Sequence, residues 1–239
     1  MTLLDRLAAI CGPDHVLTGP DTDRWSRDWT GMYSGRPLAV VRPADTAQVA
    51  AVLRLANDTG TPVVPVSGLT GLTGGAHAPG QLMLSLDRLN RIRRIDAAGR
   101  LAVVEAGVVI ARIHEAAAEQ GLIFPLFFGA RGSAMIGGAL STNAGGSNVL
   151  RYGNTRELCL GLEVVLADGR VMDLMSELHK DNSGLNLRQL MIGAEGQLGI
   201  ITAAVLKLKP MPRAYATALL AVPGLHDALT LLNRMQEET

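Results

Sequence analysis

Short apolar runs alternate with amphipathic stretches along the first half of the chain. Residues 38–41 form an apolar run and read as a strand. Asp45 or Thr46 then caps a helix over residues 47–57 that ends at Gly60. Residues 63–66 are the next strand, so the pattern predicts a β-α-β unit, parallel and right-handed by the usual connection rule. Residues 81–86 make a third strand and lead into residues 89–92. Upstream, Leu3, Leu4, Leu7 and Ile10 share one face of a short helix. Downstream, residues 101–105 read as a strand and residues 110–120 as a helix closed by Gly121. Residues 158–166 and 171–174 flank Asp168-Gly169, a hairpin signature. A short helix over 187–192 and a strand over 200–208 follow, the latter stopped by Pro210 and Pro212. One more strand is expected over 216–222 and a helix over 226–238. The fold class is α+β: a small parallel βαβ lobe, then a larger mixed or antiparallel lobe.

The strand at 63–66 empties into the loop SGLTGLTGG, residues 67–75. Glycine leaves no Cβ between backbone and ligand, so successive N–H groups can turn toward an anion. Thr70 and Thr73 add hydroxyls. A Walker loop needs Gly-Lys-Ser/Thr, and residues 62–80 hold no lysine. A dinucleotide fingerprint needs G-x-G-x-x-G opening a helix; here G-x-x-G-x-x-G-G is followed by Ala-His-Ala-Pro-Gly and then a strand. The loop therefore bridges two strands. A glycine-rich surface turn is the plain alternative.

Residues 124–153 are unusual. Seven glycines are interleaved with Met135, Ile136, Leu140, Val149 and Leu150, and Arg131 and Arg151 carry the segment's only charges. A flexible linker would be polar throughout. A packed, nearly uncharged, glycine-rich segment indicates backbone in close approach to a flat cofactor.

Composition narrows the classes. Lys plus Arg and Asp plus Glu are both 22, and aromatics are 3%. This argues against nucleic acid and against an acidic membrane surface. Cys11 and Cys159 make neither a disulfide framework nor a zinc site, which points to a reducing compartment. No basic leader with an apolar run follows the first residue, and no run is long enough for a membrane span. Both tryptophans, Trp25 and Trp29, sit with Tyr33 in the irregular stretch 21–35, read as a segment draped over a partner or anchored in the core.

Six motifs in order carry a resemblance: VVRPADTAQV, PVVPVSGLTGLTGG, GSAMIGGALSTNAGGSNVLRYGNT, LGLEVVLADG, KDNSG and IGAEGQLGIIT. With them the chain resembles the FAD-linked oxidases of the vanillyl-alcohol oxidase (PCMH) type, nearest to the D-2-hydroxyacid dehydrogenases that act on D-lactate, D-2-hydroxyglutarate or glycolate. The resemblance implies two α+β subdomains of a PCMH-type FAD-binding domain over 35–212, about 35–95 and 96–212. An N-terminal helix and irregular segment (1–34) would precede them, and 213–239 would begin a missing C-terminal cap domain. It implies that Ser67, Gly68, Leu69, Thr70 and Gly71 hold the FAD pyrophosphate, with Gly74 and Gly75 closing the turn. Gly132, Ser133, Gly138, Thr142, Asn143, Gly145 and Gly146 would line the isoalloxazine and ribityl region, with Tyr152 and Gly153 nearby. Thr142 and Asn143 would hydrogen-bond the isoalloxazine edge. Glu195, Gly196, Gly199, Ile200 and Ile201 would run toward the adenosine.

Relatives usually carry Gly where Ser67 stands, and Gly or Asn where Leu69 stands. If residue 69 needs a left-handed φ, Leu costs about 1–2 kcal/mol there. Tyr is usual where Leu185 stands. No histidine lies in the glycine loop, which argues against a histidyl-flavin bond there, and His77 reads as a surface turn residue. The implied function is the FAD-binding part of an oxidoreductase that oxidises a small D-2-hydroxy acid by hydride transfer to flavin N5. An unidentified electron acceptor, no metal, and a cytoplasmic location, free or peripheral to the inner membrane, complete the expectation. No catalytic base is assignable, because the cap that would carry it is absent. The alternatives are an inactive FAD-binding fragment lacking its substrate domain, and a module that binds a nucleotide or sugar phosphate without flavin.

Overall fold

The computed structural model describes residues 1–238. α1 (Leu3–Cys11) opens with a capping box between Thr2 and Asp5. β1 (Val16–Leu17) follows, and then a 3₁₀ segment, Gly19–Trp25. β2 (Ala39–Val41), α2 (Thr46–Asp58), β3 (Val63–Val66) and β4 (Leu82–Ser85) form the first lobe. Asp45 is the helix cap: its carboxylate accepts the Gln48 N–H at 2.8 Å. The sheet order is β1-β2-β4-β3, with β4 parallel to both neighbours and β1 antiparallel at the edge. β4 thus lies between the two strands of the β-α-β unit, and the glycine loop joins adjacent parallel strands.

β5 (Ile92–Asp96), β6 (Leu101–Glu105), α3 (Ile110–Ala118), β7 (Leu122–Ile123), α4 (Ile136–Ser141) and α5 (Val149–Tyr152) come next. β8 (Cys159–Val165), β9 (Val171–Leu174), α6 (Arg188–Met191), β10 (Ile200–Lys207), β11 (Lys209–Pro210) and α7 (Leu225–Glu238) complete the order. The second sheet, β5-β6-β10-β8-β9, is antiparallel throughout. β5 was not announced by the sequence pattern, and it pairs with β6 in this second sheet. Its register gives Arg93 and Arg94 to exposed or half-exposed positions, so no apolar alternation marks it.

One apolar core joins the lobes. Val41, Val49, Leu53 and Leu84 from the first pack in the same cluster as Leu162, Val164, Ile201 and Ala204 from the second. Burial on this scale is the main stabilising term. The β8–β9 turn seats on α2: a Cβ on Gly169 would meet Arg54 Cγ at 2.4 Å, and φ is +78°. Cys11 and Cys159 are both free and buried, and burial pushes their thiols up to about 11 and about 12.

The strand expected over 216–222 does not form. Every residue of that stretch is exposed, and it has no neighbouring strand to satisfy its backbone groups. The helix after it does form, but none of its residues is buried. β10 ends at Lys207, before Pro210 as expected, and Pro210 then sits in the two-residue pairing of β11 with β7.

Candidate functional site

A groove of about 410 Å³ runs between the glycine loop after β3, α4 with its flanking turns, and the stretch leading into β10. The loop is organised by its own strands: Leu86 N–H donates to Val66 O at 3.1 Å, holding the base of the loop against the end of β4. From Gly68 to Ala76, no backbone N–H donates to a backbone carbonyl among the described residues. Gly68–Thr70, Gly74 and Ala76 are half-buried and Gly71–Thr73 and Gly75 are exposed, so these donors are open to water or to a ligand in the groove.

Ser67 Oγ lies buried without any hydrogen-bond partner, under the backbone of Gly138. A Cβ placed on Gly71 or Gly75 would meet no atom within 4 Å and would point into open space. An orphaned hydroxyl, unpaired N–H groups and bare Cα positions on one wall fit a bound diphosphate. Acceptor oxygens would satisfy each of them without a cationic side chain. The groove lining holds no Lys, Arg or His; its charged residues are Asp28 and Glu195. Asp28 is already engaged, accepting from Thr30 Oγ1 at 2.5 Å and from the N–H groups of Thr30 and Tyr33. Those bonds, the Thr30 hydroxyl foremost, hold its carboxyl below the usual carboxylate range.

The structure sorts the residues expected at the site. Ser67, Gly68, Leu69, Thr70, Gly71, Gly74 and Gly75 all line the groove. So do Gly138, Thr142, Glu195, Gly196, Gly199, Ile200 and Ile201. Gly132, Ser133, Asn143, Gly145, Gly146, Tyr152 and Gly153 stand outside the lining. Asn143 turns its Oδ1 to the Arg156 N–H at 3.0 Å, and Thr142 Oγ1 donates to Gly138 O at 3.0 Å. These bonds use the Asn143 amide oxygen and the Thr142 hydroxyl proton, and leave the Asn143 Nδ2 donors and the Thr142 Oγ1 lone pairs outside them. Thr70, Thr142 and Ala144 nonetheless share one continuous groove.

Several lining residues were not among the site residues expected from sequence. Asp28 and Trp29 come from the irregular N-terminal stretch, and Phe128, Ala130, Met135 and Ser141 from the segment 124–153. The clustering of tryptophan near residue 29 was the available signal. Trp25 is a core anchor packed with Val40, Val66 and Met83, whereas Trp29 is 73% exposed at the groove. Tyr33 lies over Gly74, whose Cβ would come within 2.8 Å of the ring, and beside His77.

Leu69 has φ +54°, Asn143 +48° and Glu195 +53°. Among the described residues, three of the four non-glycine residues with left-handed φ therefore sit at or beside this groove, a distribution typical of functional sites. The conformation considered from sequence for Leu69 is the one observed.

Two layered lobes with a donor-rich groove between them define a cofactor-holding domain of the flavoprotein type. The chain belongs to the FAD binding domain family, whose model matches residues 37–175, and FAD is its cofactor. It is 47% identical over 205 residues to the D-2-hydroxyglutarate dehydrogenase of Xanthomonas citri pv. viticola, covering 85% of this chain and 43% of that protein. It is 37% identical over 238 residues to the D-2-hydroxyglutarate dehydrogenase of Stutzerimonas stutzeri, covering 99% of this chain and 51% of that protein. The chain thus spans about half the length of these relatives. Its fold matches alkyldihydroxyacetonephosphate synthase with a TM-score of 0.81 at 19% identity, over 98% of this chain and 45% of that one. Among the described residues no helix is long and apolar enough to cross a membrane, and no His/Cys/Asp/Glu group could hold a metal.

Proposed function

We propose that this chain is the FAD-holding part of a dehydrogenase acting on a D-2-hydroxy acid, with D-2-hydroxyglutarate the first candidate. The observation that carries the cofactor half of this reading is the run of unpaired N–H groups from Gly68 to Ala76 beside the orphaned Ser67 hydroxyl. The names of the two relatives support the substrate class. Ser67 to Gly71 would hold the diphosphate, Gly138 and Thr142 would lie along the flavin, and Glu195, Gly196 and Ile200 would face the nucleoside end. Residues 35–212 act as the cofactor domain in this reading, placed in the cytoplasm, and electrons leave to an acceptor supplied by another molecule. Bound flavin supplies the hydride acceptor for the C2–H of the hydroxy acid. The chain's own residues bind the cofactor, exclude water along the groove and fix its orientation.

A second reading, an FAD-binding chain without turnover, is favoured by one observation. None of the five histidines lines the groove, and of its two carboxylates Asp28 is engaged by the Thr30–Tyr33 turn. Oxidation of an alcohol needs a base for the hydroxyl proton. Reconstitution with FAD followed by anaerobic addition of D-2-hydroxyglutarate, D-lactate or glycolate decides between the two. Bleaching of the flavin band by one of them supports the dehydrogenase. A yellow protein that none of them bleaches supports the inert chain, and failure to take up FAD refutes both.

A further inference from the structure

We propose that Arg156 is a positioning residue for the groove, a strap whose backbone N–H holds the wall around residues 140–144 and whose guanidinium holds the wall around 189–196; this rests on the cofactor reading above. Arg156 is half-buried just after α5 and does not itself line the groove. Its backbone N–H donates to Asn143 Oδ1 at 3.0 Å. Its Nη1 donates to Gln189 O at 2.6 Å and Gln189 Oε1 at 2.8 Å, and its Nη2 donates to Ile192 O. All three guanidinium acceptors are neutral oxygens, so the planar fork is used for geometry and not for an ion pair.

The two walls it spans meet directly. Gly193 N–H donates to Leu140 O at 3.0 Å, and Glu195 N–H donates to Ser141 O at 2.8 Å. Asn143 and Glu195, one on each wall, both hold left-handed φ. Non-glycine residues stay in that region only when their surroundings over-determine it. Arg156 touches both walls, through Asn143 on one side and the carbonyls of Gln189 and Ile192 on the other. Ser141, Thr142, Glu195 and Gly196, which those contacts fix, face the groove.

Arg156→Lys and Arg156→Met in the whole chain keep the backbone N–H and remove the fork. FAD is titrated by flavin fluorescence, visible circular dichroism is recorded at saturating FAD, and the apoprotein is melted. Both variants should bind FAD at least about tenfold more weakly, with altered dichroism and little change in the apoprotein melt. Lysine restoring wild-type affinity and dichroism would overturn the proposal, because charge alone would then suffice. A lowered apoprotein melt with unchanged FAD affinity of the folded fraction would also overturn it, leaving a role in the fold only. If neither variant folds, Gln189→Ala, which removes one acceptor, should still weaken FAD several-fold, and unchanged affinity sinks the strap. Wild-type chain that takes up no FAD rejects the cofactor reading itself, a result separable from these.

Discussion

Thr46 and Glu163 are 117 residues apart in the chain, yet Thr46 Oγ1 donates to Glu163 Oε1 at 2.6 Å. The contact joins the first turn of α2, in the lobe that carries the glycine loop, to β8 in the other lobe. The same carboxylate oxygen accepts from Thr202 Oγ1 at 2.8 Å and lies 3.5 Å from Arg93 Nη2. Thr202 is fully buried, so without the Glu163 carboxylate its hydroxyl has only the longer 3.4 Å contact to Glu163 O and no water. Glu163→Gln places an amide where donors converge and should cost about 1–3 kcal/mol in urea unfolding. Thr46→Val should cost about 1 kcal/mol. Wild-type stability in both would mean that this carboxylate contact adds nothing to the packing that joins the lobes.

Gly68 and Gly71 stand three residues apart in one loop, and their glycines serve different needs. A Cβ on Gly68 would come within 2.2 Å of Ser133 O, backbone that cannot swing aside. A Cβ on Gly71 would meet nothing within 4 Å. Gly68→Ala should therefore destabilise the fold by about 2–4 kcal/mol. Gly71→Val should leave the melting temperature near wild type while abolishing FAD retention. A Gly71→Val protein that stays yellow would refute the placement of the diphosphate on this loop.

That contrast shows what could be read from sequence. The β-α-β unit was legible because its apolar runs, the Asp45 cap and the Gly60 stop all agree with one another. The Asp168-Gly169 hairpin was legible for the same reason. α4 was hidden because Gly137 and Gly138 blur any helical period, and α5 is only four residues, too short to show one. β7 and β11 are two residues each, too short to show one. Residues 216–222 misled because an apolar stretch predicts a strand only if another strand is there to pair with it. At the site, glycine-rich stretches marked where backbone comes close to something. They could not say whether that something is ligand or protein: for Gly146 it is Phe127 O, only 2.0 Å from an added Cβ. The Asn143–Arg156 contact depends on the fold and leaves no trace in local pattern.

Leu69 allows a test of backbone strain against packing. Its φ of +54° is costly for any side chain with a Cβ, and its own side chain packs against the cluster around Trp25 and Met83. Leu69→Gly relieves about 1–2 kcal/mol of strain and forfeits a similar amount of apolar contact, so stability should change little. Leu69→Ile keeps the volume but puts a β-branched residue where such residues are rarest, and should lose about 2 kcal/mol or more. Chemical denaturation of the two variants checks the order. If Leu69→Ile proves the more stable, packing and not φ governs this position.

His114 gives the chain a pH-dependent element behind the groove. Its ring stacks on Phe127 with centroids 4.3 Å apart and planes 8° apart, and Nε2 lies 3.0 Å from Leu126 O. Phe127 O in turn accepts the Ser147 N–H at 2.9 Å. Burial is the main cause that holds the His114 pKa below the ordinary value. Arg131, which also lies over the Phe127 ring, acts in the same direction, while the Leu126 carbonyl and Glu115 oppose them. With the folded pKa lowered, the unfolded chain binds more protons as the imidazole titrates. This contribution to stability is therefore present above the unfolded value of about 6.5 and is lost as pH falls through the folded one. Unfolding midpoints of the wild type should drop between about pH 7 and 5 by more than those of His114→Phe, which keeps the stack and cannot charge. In a proton NMR titration the His114 ring should change state below the usual histidine range. A midpoint at or above that range, or parallel pH profiles for the two proteins, would show that the stack tolerates the charged ring.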